Sequence, residues 1–135
     1  MYSKILLATD GSEDARRAAD HAFKLAETFG ASLHVVYVAE TAVPIAYEDY
    51  LRSEGDTVTK SVGERAAQRG IDVVWKVLEG VPHEEIEKYA ERRDVDLIVV
   101  GSRGKSGIER RLLGSVTDRL LRTVSVPVLV IRAGT

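Results

Sequence analysis

Gly101, Gly104, Gly114 and Ser115 follow the spacing G-x2-G-x9-G-S in the segment VVGSRGKSGIERRLLGSVTDRLL. Arg103, Lys105, Arg110 and Arg111 lie among them against one acid, Glu109, so the loop carries a local charge of about +3 at neutral pH in a chain of formal net charge -2. Glycine has no Cβ, which lets the main chain close on a ligand or take a positive φ. Such a loop suits an anion, and phosphate oxygens above all. Ser115 reads as the N-cap of a helix whose first amides, those of Ser115, Val116 and Thr117, point at the anion from the positive end of the helix dipole. The run SVTD, Ser115 to Asp118, also reads as a capping box that would stabilise the helix without any ligand, with Asp118 as its acidic member.

Other residue types narrow the chemistry. The chain has no cysteine, which removes disulfides, thiolate nucleophiles and cysteine-ligated zinc. His21, His34 and His83 show no metal-ligand spacing, and His83 in GVPHEEI reads as a solvated residue at a helix start. Ser12, Ser102, Ser106 and Ser115 could be drawn as nucleophiles, but the sequence sets no histidine and aspartate beside them in a triad pattern. GKS at Gly104 to Ser106 ends like a P-loop, yet the glycine required five positions earlier is Val99, and G-x-G-x-x-G is absent. Asp10, in ATDGSED, either meets a ligand or pairs with main-chain amides at a helix start.

The elements that must position these residues follow from the apolar pattern. ILLA (Ile5 to Ala8), LHVVYV (Leu33 to Val38), VVWKVL (Val73 to Leu78), LIVV (Leu97 to Val100) and VLVI (Val128 to Ile131) have the length and β-branching of strands, and most suit burial on both faces. Between them, Ala15, Ala18, Ala19, Ala22, Ala26 and Phe29 recur at helical spacing. Leu51, Val58, Val62 and Ala66 do the same, then Ile86, Tyr89 and Ala90, then Val116, Leu120, Leu121 and Val124. The order βαβαβαβαβ predicts an α/β fold, an open doubly wound five-stranded parallel sheet with helices on both faces, for which the expected strand order is 3-2-1-4-5. Ligands of such sheets sit beyond the carboxyl ends of the strands where the order reverses, which brings ATDGSED and GSRGKSG to one crevice. Ala39 to Asp56, interrupted by Pro44 and Gly55, is expected to hold a mobile loop before the second helix. If Gly55 lies in that helix it costs about 1 kcal/mol relative to alanine.

Length and composition bound the rest. With 135 residues, 44% hydrophobic and 30% charged, the chain suits one domain over residues 1–135. The acidic balance argues against a general nucleic-acid binder, and ERRDVD and IERR, with interspersed acids and no aromatic platform, read as solvated faces. Trp75 alternates with apolar neighbours and reads as packing. No apolar run approaches the roughly 18 residues of a membrane span, and MYSKILLATDGSE turns acidic where a signal peptide would stay apolar. The expectation is a cytoplasmic protein with neither membrane nor nucleic acid as partner.

The G-x2-G-x9-G-S spacing, with KILLATDGSE before it, VLEGVPHEEI in the middle and DLIVVGSRGKSGIERRLLGSVTDRLLRTVSVPVLVIR around it, resembles the ATP-binding branch of the universal stress protein family. The resemblance spans almost the whole chain and implies an adenine nucleotide alpha hydrolase-like fold that binds ATP with Mg2+. It implies that the triphosphate lies on Gly101, Gly104, Gly114, Ser115, Val116 and Thr117, with Arg103 beside it. It implies that Ala8, Thr9 and Asp10 line the adenosine, that Asp10 accepts from the nucleotide or helps orient the metal, and that the Val38 backbone meets the adenine edge. Ala8 stands where many members carry proline, so its backbone contact is what carries over. Magnesium would be held mainly by phosphate oxygens and water.

Three classes of function compete on this reading. An ATP-binding regulatory protein, in which occupancy modulates a dimer or partner surface, leads. A slow ATPase, autophosphorylating or adenylating enzyme is the alternative, without a visible reaction centre. A response-regulator receiver ranks last, because the position of its phosphoacceptor aspartate after the third strand reads VLEGVPHEE. The fifth strand, VPVLVIR, would leave an open apolar edge, and the family resemblance implies that two copies pair there as a homodimer.

Overall fold

The computed structural model describes residues 1–103 and 114–132. Its elements run β1 (Lys4–Ala8), α1 (Glu13–Phe29), β2 (Ser32–Glu40), α2 (Ile45–Gln68), β3 (Val73–Gly80), α3 (Pro82–Arg92), β4 (Leu97–Gly101), α4 (Ser115–Thr123) and β5 (Val128–Ile131). All strand pairs are parallel and the order is β3-β2-β1-β4-β5, the expected one. Ile5, Leu6 and Leu7 pair with Leu97, Ile98 and Val99, so β1 and β4 end side by side at the point where the order reverses.

Period-two alternation divides the core between the two faces of the sheet. Ile5, Leu7, Leu33, Val35, Leu97 and Val99 pack with Ala18, Ala22, Phe23 and Ala26 of α1 and with Val62 and Ala66 of α2. Leu6, Val36, Ile98 and Val100 pack with Ile86, Tyr89 and Ala90 of α3 and Leu120 of α4. The alanine stripe of α1 lets its backbone lie close to the sheet, and Phe23 fills the remaining space. Phe29, expected on that stripe, is exposed and meets Tyr2 edge to face at 5.2 Å, because the helix ends at Gly30 in the left-handed conformation. Leu121 is likewise exposed, since Leu120 alone of that pair faces the core.

The loop expected within Ala39 to Asp56, before the second helix, spans only residues 41–44. β2 extends to Glu40 and α2 starts at Ile45, directly after Pro44 as N-cap, so the proline admits the chain to the helix instead of interrupting it. Gly55 lies inside α2 and is buried. A Cβ there would stand 2.7 Å from the Tyr37 ring and 3.1 Å from Val77, so the missing side chain is what lets α2 descend onto the sheet. Trp75, on the edge strand β3, lies against Gly63 of α2 and is 42% exposed, a packing residue with one open side.

Candidate functional site

Beyond the carboxyl ends of β1, β2 and β4 lies a cleft of about 530 Å³, within the size range of small-molecule sites. Ala8, Thr9 and Asp10 line it from the end of β1, Val38 from β2, Gly101 and Arg103 from β4, and Gly114, Ser115, Val116 and Thr117 from the start of α4. The structure thus brings together every sequence-nominated site residue that it describes. Gly104 falls outside the described residues, as do Lys105, Arg110 and Arg111.

Local chain geometry explains how each side reaches the cleft. After β1, the Thr9 amide donates to the Val36 carbonyl at 2.9 Å, carrying the β1–β2 ladder into the turn. Thr9 Oγ1 then accepts from the Gly11 amide at 3.2 Å, and Asp10 Oδ1 accepts from the Ser12 amide at 2.9 Å. Asp10 therefore shapes the turn before α1, and it also lines the cleft. Ser12 is the N-cap of α1, its hydroxyl accepting from the Ala15 amide at 3.2 Å.

At α4 the expected cap shifts by one residue. Gly114 is the N-cap and makes no side-chain cap bond, while Ser115 is the first helical residue. Without a side-chain oxygen at the cap, the first-turn amides receive no side-chain bond from the cap residue. Asp118 is not part of a capping box, because its carboxylate pairs with Arg122 one turn further on, at 3.4 Å. The Gly114 amide donates to the Ser102 carbonyl, and Thr117 Oγ1 donates to the Gly101 carbonyl at 2.8 Å. Both bonds fix the N-terminus of α4 against the end of β4.

Gly101 serves a different approach from the one its spacing suggests. A Cβ on it would stand 2.8 Å from the backbone carbon of Asp14 and 2.9 Å from the Ala15 amide nitrogen, so its bareness admits the first turn of α1. Asp14, buried there, accepts at Oδ2 from the Ser102 hydroxyl at 2.6 Å, the Arg103 amide at 3.0 Å and Arg103 Nε at 3.4 Å. Burial alone would push this carboxyl up, but the Ser102 and Arg103 hydrogen bonds and the Arg103 charge outweigh it and hold it below the usual carboxylate range. Ser102, drawn from sequence as a conceivable nucleophile, spends its proton on this bond and does not line the cleft. Of the histidines, His34 is buried and hydrogen-bonds through Nδ1 to the Tyr89 hydroxyl at 2.7 Å, under the sheet face opposite α1. His21 is exposed and His83 is half-buried in the first turn of α3. Neither lines the cleft.

The model of the Universal stress protein family matches residues 1–132. The chain belongs to the universal stress protein family. Among its relatives, universal stress protein MJ0531 of Methanocaldococcus jannaschii is 37% identical over 141 residues, covering 98% of this chain and 83% of the relative. The solved structure of MJ0577, from the same organism, superposes with a TM-score of 0.85 at 30% identity, covering 100% of this chain and 99% of the other. A universal stress protein solved in complex with cAMP superposes with a TM-score of 0.78 at 28% identity, covering 98% of this chain and 99% of the other.

In this universal stress protein the cleft has a wall that motif reading missed. Tyr47, Tyr50, Leu51 and Glu54 of α2 line it together with Tyr37 and Glu40 of β2 and Pro82 and Ile86 of α3. Tyr47 and Tyr50 stack with ring centroids 5.5 Å apart. The Tyr37 hydroxyl donates to Glu54 at 3.2 Å, and burial, followed by the Glu54 charge, pushes the phenol above its ordinary value. The signal was present as the i, i+3, i+4, i+7 spacing of Tyr47, Tyr50, Leu51 and Glu54, one face of a helix. Treating the segment as a loop concealed it. Asp14 left less trace, because an acid in the first turn of a helix is ordinary.

Proposed function

We propose that this universal stress protein binds ATP, with Mg2+, in the cleft between β1, β2, β4 and α4, and that occupancy biases a surface read by a second copy or by a protein partner. One observation carries the reading. Residues nominated by spacing and by family resemblance from separate parts of the chain line a single cleft whose far end is a helix N-terminus with no side-chain cap. The first-turn amides of α4 would take phosphate oxygens, with Arg103 beside them. Ala8, Thr9 and the Val38 backbone would border the adenosine. The neighbour solved with cAMP supports an adenine nucleotide as the ligand class.

Among the described residues no set of three histidine or acidic side chains clusters as a metal cage. Mg2+ would be carried mainly by phosphate oxygens and water, with Asp10, the cleft-lining acid at the end of β1, to orient it. Among the described residues β5 has a strand neighbour only in β4, and pairing two copies through that edge would remove an open strand, so the proposal includes a homodimer. Among the described residues no helix is long and apolar enough to cross a membrane, and the proposed setting is the cytoplasm.

The test is to denature freshly purified protein, identify the released small molecule by chromatography, and then titrate the emptied protein with Mg-ATP in a calorimeter. Gly114→Val is the informative variant. Gly114 has φ -72° and ψ 160°, which any residue adopts, so the substitution leaves the backbone unstrained while placing a branched side chain before the phosphate-binding amides. ATP affinity should vanish with the urea midpoint little changed. Unaltered affinity would remove the site assignment.

A further inference from the structure

The Asp14–Ser102 pair lies beside the proposed nucleotide site without lining it. Asp14 is 4% exposed and Ser102 is 2% exposed, and they come from opposite ends of the chain, the first turn of α1 and the end of β4. Their contacts form a continuous path. Asp14 Oδ2 holds the Ser102 hydroxyl and the Arg103 amide, and the Ser102 carbonyl in turn accepts from the amide of Gly114, the N-cap of α4. From the other side, Gly101 rests on the Asp14 backbone and takes the Thr117 hydroxyl on its carbonyl. α1 is thereby tied to the helix terminus proposed to grip phosphate.

We infer that Asp14 and Ser102 are positioning residues for the phosphate end of the cleft: their buried hydrogen bond fixes the backbone of residues 101–103, and through Ser102 and Gly101 the N-terminus of α4, in the geometry that binds anions. The inference rests on the nucleotide reading above. A buried carboxylate near a phosphate site would by charge alone oppose the ligand. Here three donors converge on one oxygen, Arg103 supplies the countercharge, and the acid lies in the first turn of α1, where the helix dipole favours it. Its Nε contact occupies one guanidinium donor and leaves the terminal nitrogens as the remaining ones on the cleft-lining Arg103.

The ligand pair ATP and adenosine separates this role from a general structural one. Ser102→Ala keeps both charges and breaks the link, Asp14→Asn keeps the shape and removes the charge, and the double variant closes the cycle. Each single variant should lose about tenfold or more in Mg-ATP affinity, the scale of one charge-assisted hydrogen bond, while adenosine affinity stays within about twofold. The double variant should bind ATP no more than about threefold worse than the weaker single, because both sever one path. Two results overturn the inference with the nucleotide reading intact: ATP affinity in Ser102→Ala equal to wild type, or parallel losses for ATP and adenosine. Tighter ATP binding by Asp14→Asn would also overturn it, making the carboxylate a repelling charge. Failure of the wild-type chain to bind either ligand would sink the nucleotide reading itself, and this role with it.

Discussion

Gly101→Ala isolates what the glycine of the β4 terminus is for. Its Cβ would sit 2.8 Å from the Asp14 backbone carbon, 2.8 Å from the Asp14 Cβ and 2.9 Å from the Ala15 nitrogen. These atoms belong to the first turn of α1, so relief requires the helix to retreat as a body, and overpacking of this kind costs up to about 3 kcal/mol. Alanine also restricts the unfolded chain, which returns roughly 0.4–1 kcal/mol. The net loss is about 2 kcal/mol, to be read as a lowered urea midpoint at constant m. Gly63→Ala is the control. There the obstructing group is the Trp75 ring, 42% exposed, so a side chain and not a helix must move, and the loss should be smaller than that of Gly101→Ala. Trp75 is the single tryptophan, and its emission should shift to the red in Gly63→Ala and stay unchanged in Gly101→Ala. If Gly101→Ala is within about 0.5 kcal/mol of wild type, the reasoning that α1 needs a bare backbone there fails.

Burial, then the Arg93 and Lys4 charges, lower the proton affinity of His34, with Asp72 opposing them. Stability should therefore fall as pH drops through the unfolded histidine value of about 6.5 and level off below the lower folded value. His34→Gln should flatten that slope in urea titrations at successive pH. The Tyr37 phenol is pushed up, as burial also pushes Tyr89, so stability should fall above about pH 10, where unfolded tyrosines ionise, and Tyr37→Phe should make that fall shallower. Light scattering should return the mass of a dimer at micromolar concentration, and a monomer alone would reject pairing through β5.

The sheet was legible because its causes are local. Five apolar runs of strand length separated by helical stripes leave few arrangements, and the observed order is the expected one among them. The α2 segment was misread for an equally local reason: Pro44 and Gly55 are breakers by propensity, and what keeps Gly55 in a helix is the approach of Tyr37 and Val77 from other strands. The SVTD run failed similarly. Its hydroxyl and carboxylate have the spacing of a capping box, but the Gly114 amide's bond to Ser102 starts the helix one residue earlier in cap terms.

By itself the sequence determined the fold class, because periodicity acts over a few residues, and it nominated the expected strand order and glycines and an arginine that the structure sets on the cleft wall. Tertiary structure alone decided that Gly101 makes room for α1, that a tyrosine and glutamate wall on α2 closes the cleft, and that Asp14 reaches Ser102 across the chain. Each of those depends on contacts between residues far apart in sequence, and no short-range pattern encodes a distance that only packing sets.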